Sequence, residues 1–173
     1  MKTDGFPGEP SEVLARRWRK FGLLHIPYRL LVLGRMLDRR TARTVFDNEQ
    51  VTLAEWRVLA MLALTNESTI NALAADLLVD PAEVSRACAT LTKKGLAQRH
   101  DHPVNKSRKL VSLTSSGRDA AERIGRERRQ FYGYLLEDLD EADRRRFDDF
   151  LLHIAIKLEQ LGADKEGPVD PAG

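Results

Sequence analysis

The stretch from Thr69 to Lys109 constrains this chain more than any other. Ile70, Leu73, Ala74 and Leu77 are spaced as the apolar face of a short helix, with Ser68 as its expected cap. A break comes at Leu78-Val79, and Asp80-Pro81 then opens a second helix. A carboxylate there accepts from the orphan N–H groups of the first turn, while proline has its φ preset and no N–H to leave unsatisfied. Val84, Ala87, Cys88 and Leu91 fall at i, i+3, i+4 and i+7, so one side of this helix is apolar. Gly95 stands where a left-handed C-terminal cap is wanted. Two short helices joined by a tight turn are the arrangement that offers its second helix to a DNA major groove.

The residues beyond Gly95 add a wing. Residues 96–102 and 109–114 have strand character, and Leu110, Ser112 and Thr114 alternate with Val111 and Leu113. Between them His102-Pro103-Val104-Asn105-Lys106-Ser107-Arg108 is polar and basic, as suits a hairpin tip. From Pro81 to Lys109 there are seven Lys or Arg against two acids, an excess of five in a chain whose total is only +2. Positive charge is thus concentrated where phosphates would be met, which favours a local duplex contact over a general nucleic-acid coat.

The flanking segments read as helices with apolar surface to spare. Residues 11–20 form a short helix ending in a basic run, Arg16 to Lys20, whose plain reading is a solvated face. Pro27 opens a helix over 27–46 that is apolar around much of its girth, with Arg35, Arg39 and Arg43 on the opposite side, so burial among several neighbours is expected. Thr52-Leu53-Ala54-Glu55 fits a capping box, and Trp56, Leu59, Leu62 and Ala63 supply the buried stripe up to Asn66. Thr114 to Gly117 cap a long helix that contains Gly125 and Gly133, each suited to a close helix approach or a bend. Asp140 begins the last helix, with acids in its first turn, and Gly162 ends it. This surplus of apolar surface is best spent on a second copy of the chain. The expected organisation is a disordered N-terminus over 1–10, dimerisation helices over 11–50, a winged helix-turn-helix over 51–114, dimerisation helices over 115–162 and a flexible tail over 163–173. The fold class is mainly α with a small β-hairpin wing.

At 31% charged and 42% hydrophobic residues the composition is that of a soluble domain, and no apolar run approaches the roughly 20 residues of a membrane span. The single cysteine, Cys88, cannot form an internal disulfide, which fits a cytoplasmic location. Its place on the apolar stripe favours packing over a redox role. His100 and His102 share one face of a strand, but without a third ligand nearby they favour a solvated role over metal binding. Nucleophile elbow, phosphate-cradling glycine loop and paired carboxylates are all missing from the sequence, so catalysis is not expected, nor a cofactor.

Taken in order, these residues resemble the multiple-antibiotic-resistance (MarR) family of winged-helix regulators. The likeness rests on Leu53-Ala54-Glu55-Trp56-Arg57-Val58-Leu59, Leu73-Ala74, Asp80-Pro81-Ala82-Glu83-Val84-Ser85-Arg86, Leu91 to Leu96 and Val111 to Gly117, and it runs from about residue 27 to 161. It implies a homodimer on a pseudo-palindromic operator in double-stranded DNA, most often a repressor, released by a small aromatic anionic effector such as an aromatic acid or its thioester. On that basis Ser85, Arg86, Thr90 and Lys93 are the recognition-helix contacts, and Asn105, Lys106, Ser107 and Arg108 the wing contacts. The wing departs from the family pattern: Asn105-Lys106-Ser107 stands where Asp-Arg-Arg is usual, leaving Lys106 or Arg108 to enter the minor groove. The implied effector region holds His25, Tyr28, Arg29, Trp56 and Arg57, with packing and an interface ion pair as the plain readings of the last two. The competing reading is a winged-helix interaction or assembly module without a transcriptional role.

Overall fold

The computed structural model describes residues 10–19, 22–101, 103 and 108–163. The expected disordered N-terminus and tail therefore lie outside the described residues, save Pro10 and Ala163, as does His102. The order of elements is α1 (Glu12–Arg19), a 3-10 turn (Leu23–His25), α2 (Ile26–Glu49), α3 (Leu53–Thr65), β1 (Glu67–Ser68), α4 (Ile70–Leu77), α5 (Pro81–Lys93), β2 (Ala97–Asp101), β3 (Lys109–Leu113), α6 (Ser115–Leu135) and α7 (Glu141–Ala163). Two units are distinguished, residues 10–130 and the segment from Phe131 onward.

Helix boundaries follow local chemistry. The Thr52 hydroxyl accepts from the Glu55 N–H at 3.3 Å, and the Glu55 carboxylate accepts from the Thr52 N–H at 2.8 Å, which completes the expected capping box. Asp80 accepts from the Ala82 N–H at 2.7 Å, Thr114 from Gly117 at 3.0 Å and Asp140 from Asp143 at 2.8 Å. Gly95 takes φ +70, the left-handed turn required of it. Two expectations are corrected. The cap of α4 is Thr69, whose hydroxyl accepts from Ala72, whereas Ser68 sits in β1 and pairs with Val111 of β3. A two-residue strand is too short to show a period. And Gly162 does not end α7, which continues to Ala163.

The sheet has the order β1-β3-β2, all antiparallel, with Arg99 opposite Val111 and Asp101 opposite Lys109. One core lies in the unit of residues 10–130, drawing on Val45 of α2, Leu59 and Leu62 of α3, Leu73 of α4, Leu91 of α5 and Ile124 of α6. In α3 the buried positions are Glu55, Val58, Leu59 and Leu62; Trp56 is half-buried against the core and Ala63 is exposed, so the expected stripe is rotated by about a sixth of a turn. Helix α2 is longer than the expected 27–46, and it is not enclosed: only Thr41 and Val45 are buried, while Leu31 (63%), Met36 (48%) and Phe46 (50%) are exposed. In α7 Phe147, Phe150, Leu152, Leu158 and Leu161 are exposed as well.

Gly117 has a packing role invisible in its sequence context. A Cβ there would stand 1.8 Å from the Leu96 carbonyl oxygen, the same oxygen that accepts from the Thr114 N–H at 3.1 Å. Among the described residues Gly125 and Gly133 have no such backbone neighbour. Because the obstacle at Gly117 is backbone, Gly117→Ala should destabilise the fold by about 2–4 kcal/mol, measured by urea unfolding. A second tie joins α2 to α6, where Arg123 donates twice to Glu49 at 2.7 and 2.9 Å. The Arg123 hydrogen bonds hold the Glu49 carboxyl below its ordinary value against a smaller opposing effect of burial. A depressed carboxylate pKa stabilises the fold above the unfolded value and loses that effect as pH falls through the folded one. Glu49→Gln should therefore lower the thermal midpoint at neutral pH, and the gap from the parent chain should close as pH drops below about 4.

Candidate nucleic-acid interface

The turn between α4 and α5 is made by Leu78, in the left-handed region at φ 53, and by Asp80, which caps α5. Proline at the first helical position and the buried stripe of Val84, Ala87, Cys88 and Leu91 then fix which face of α5 is left outside. On that outer face Arg86, Ala89 and Lys93 are exposed, and Ser85 and Thr90 are half-buried beside them. Among the described residues neither Arg86 nor Lys93 makes an ion pair, so both charges are free to meet an anion. The Thr90 hydroxyl donates to the Arg86 carbonyl at 3.1 Å. With its proton committed, it can only accept, as from a base amino group, and is a poor donor to phosphate.

The wing is anchored to this helix. Arg99 of β2 donates to the Ser85 carbonyl at 3.4 Å, a long bond that still places a guanidinium beside the expected contact surface. At the end of the hairpin Lys109 is ion-paired with Asp101, its cross-strand partner, and Arg108 is exposed next to it. Asn105, Lys106 and Ser107, the remaining expected wing contacts, lie outside the described residues. Across β3, His100 Nε2 of β2 is 2.9 Å from Glu67 of β1. Cys88 is fully buried, and burial pushes its thiol pKa up against the nearby Arg99, which fits the packing role expected of it.

Not every cation of the segment is available to a duplex. Lys94, the C-cap of α5, donates to the Glu55 carboxylate and to the Gln50 carbonyl, each at 2.7 Å. Glu55 is 3% exposed, and its Oε2 also accepts from Thr52. The end of α5 is thus fixed to the α2–α3 junction through one buried carboxylate. With Lys109 and Lys94 engaged, Arg86, Lys93, Arg99 and Arg108 carry the outward charge among the described residues. Arg99 and Lys94 escape a sequence reading because their partners lie 14 and 39 positions away.

Of the five residues of the implied effector region, Tyr28 lines one cavity and Arg57 another. Arg29 donates to the Trp18 carbonyl at 2.9 Å and stacks over its ring at 5.5 Å. Arg57 is paired with Asp38 at 2.9 Å, and His25 is exposed. Tyr28 lines a groove of about 600 Å³ along α2, together with Val32, Arg35, Met36, Arg39, Arg40 and Arg43.

Residues 49–106 match the model of the MarR family. The chain is 32% identical over 125 residues to an HTH-type transcriptional regulator of Mycobacterium leprae, covering 70% of this chain and 85% of the other. It is 30% identical over 114 residues to one of Mycobacterium tuberculosis, covering 66% and 80%. Among solved structures it is similar to a MarR/EmrR family regulator from Acinetobacter, with a TM-score of 0.72, 21% identity and coverage of 79% and 96%. It is similar too to a MarR variant from E. coli complexed with operator DNA, with a TM-score of 0.63, 22% identity and coverage of 78% and 99%.

If Lys94 acts by holding α5 rather than by touching phosphate, two readouts separate the roles. Lys94→Met should cost about 1–3 kcal/mol in urea unfolding, since it strips a buried carboxylate of its cation. The salt dependence of DNA binding should keep its slope, which would fall by about one if a phosphate contact were lost.

Proposed function

The chain belongs to the MarR family of transcriptional regulators, and from that premise we propose that it binds a pseudo-palindromic operator as a homodimer and represses transcription in the cytoplasm until a small effector releases it. The observation that carries this reading is the outer face of α5, where Arg86 and Lys93 stand exposed and, among the described residues, without ion-pair partners. Arg86 is suited to bidentate bonding with guanine, Ser85 and Thr90 to a base edge, and Lys93 to phosphate. Asn105, Lys106, Ser107 and Arg108 serve the adjacent minor groove. The exposed apolar residues of α2 and α7 support residues 11–50 and 115–162 as the dimerisation segments around a DNA-binding segment at 51–114. Twofold symmetry then sets the half-sites about one helical turn apart.

The effector belongs, on this reading, near His25, Tyr28, Arg29, Trp56 and Arg57, and an aromatic acid or its thioester suits that set of rings and cations. It releases DNA only by binding one disposition of the two wings better than the other. Both Arg29 and Arg57 are engaged within the chain, so the ligand must compete with Asp38 or with the Trp18 carbonyl.

The test is a gel-shift titration with DNA from upstream of the gene at graded salt, together with the mass of the protein in solution. A dimer, a retarded complex and a steep salt slope are expected. Arg86→Ala should weaken specific binding by about 1–3 kcal/mol while sparing non-specific binding. A monomer indifferent to every such fragment at low salt would overturn the reading and leave an interaction module in its place.

A further inference from the structure

The face of α2 turned away from the buried Thr41 and Val45 carries a row of arginines. Arg35, Arg39 and Arg43 are four apart and Arg40 lies beside them, with Val32, Met36 and Tyr28 completing the groove of about 600 Å³. A solvated helix face usually mixes its charges, and at several places the chain does so. Arg126 is paired with Glu122, Arg145 with Glu141, Arg57 with Asp38 and Arg123 with Glu49. The α2 row shares its lack of ion pairs with Arg86 and Lys93 of α5, but gathers four arginines on one side of a single helix. Among the described residues none of its four arginines makes an ion pair, although Asp47 stands four positions beyond Arg43. Like charges at i, i+4 destabilise a helix, and Arg35-Arg39-Arg43 repeats that arrangement twice.

We propose that this groove is a binding site for a small polyanion bearing two or more phosphate or carboxylate groups. Guanidinium forks donate bidentately to such oxyanions and stay charged at any physiological pH. Eight residues of helix separate Arg35 from Arg43, so the ligand's charges spread over about 12 Å. Val32 and Met36 form an apolar floor and Tyr28 offers a ring to the body of the ligand. The bound anion removes the repulsion that the row otherwise carries. The site shares no residue with the outer face of α5 and only Tyr28 with the implied effector residues, but it lies within residues 11–50, the segment proposed for dimerisation, so its test is made on the protein in its solution assembly.

Isothermal titration at fixed ionic strength with tripolyphosphate, citrate and orthophosphate tests it on the full chain. Saturable binding of tripolyphosphate or citrate is expected, at least about tenfold tighter than orthophosphate, and the stronger of the two identifies the anion class. The triple variant Arg35→Gln, Arg39→Gln, Arg43→Gln should lose about tenfold or more of that affinity while unfolding at the same or a higher temperature, because repulsion has been relieved. Its DNA retardation should keep the parent's salt slope. No saturable heat, or equal affinity in the variant, overturns the proposal. So does a DNA salt slope that falls by about one for each arginine removed, which would make the row a duplex contact instead. Loss of DNA binding by the parent chain itself would sink the operator reading and leave the polyanion measurement intact.

Discussion

Glu55 is the carboxylate on which the placement of the recognition helix depends. Its residue is 3% exposed, yet its Oε2 accepts from the Thr52 N–H that starts α3 and from Lys94 that ends α5. Lys94 in turn reaches the Gln50 carbonyl, just beyond the end of α2. Three helix termini are therefore joined through one ion pair whose buried carboxylate could not be left alone, because such a group without partners costs several kcal/mol. Orientation of α5 follows from electrostatic necessity as much as from the apolar stripe beneath it.

This arrangement divides the cations of the segment into two kinds. Lys94 and Lys109 are engaged by Glu55 and Asp101 and serve the frame, whereas Arg86, Lys93 and Arg108 face outward. Arg99 is intermediate, bonded to the Ser85 carbonyl while retaining donors for other partners. An excess of five positive charges between Pro81 and Lys109 thus overstates what a duplex would feel. Thr90 is limited in the same way, since its proton is committed to the Arg86 carbonyl.

The surface is uneven in a way that bears on assembly. Leu31, Met36 and Phe46 are exposed on α2, and Phe147, Phe150 and Leu158 are exposed on α7. The arginine row lies on a different side of α2 from its buried residues and adds an unneutralised charge to that helix.

Much was legible in the residue order, for local reasons. Thr52-Leu53-Ala54-Glu55, Asp80-Pro81, Gly95, Thr114 and Asp140 mark helix ends through bonds spanning only a few positions, and the family likeness rests on many of the same residues. The stripe of Val84, Ala87, Cys88 and Leu91 marks the inner face of α5, and so the outer one bearing Arg86 and Lys93. Tertiary structure decided the rest. The strand at Glu67–Ser68 exists because β3 supplies its partner, the rotation of the α3 stripe is set by what packs on Leu59 and Leu62, and Gly117 is needed because Leu96 approaches it. Lys94 finds Glu55 across 39 positions, Arg123 finds Glu49 across 74, and Arg57 takes Asp38 on the neighbouring helix. Caps and periods are written within one turn of chain, so the sequence alone determines them; which charges are spent on the frame and which stay free depends on distances that only folding sets.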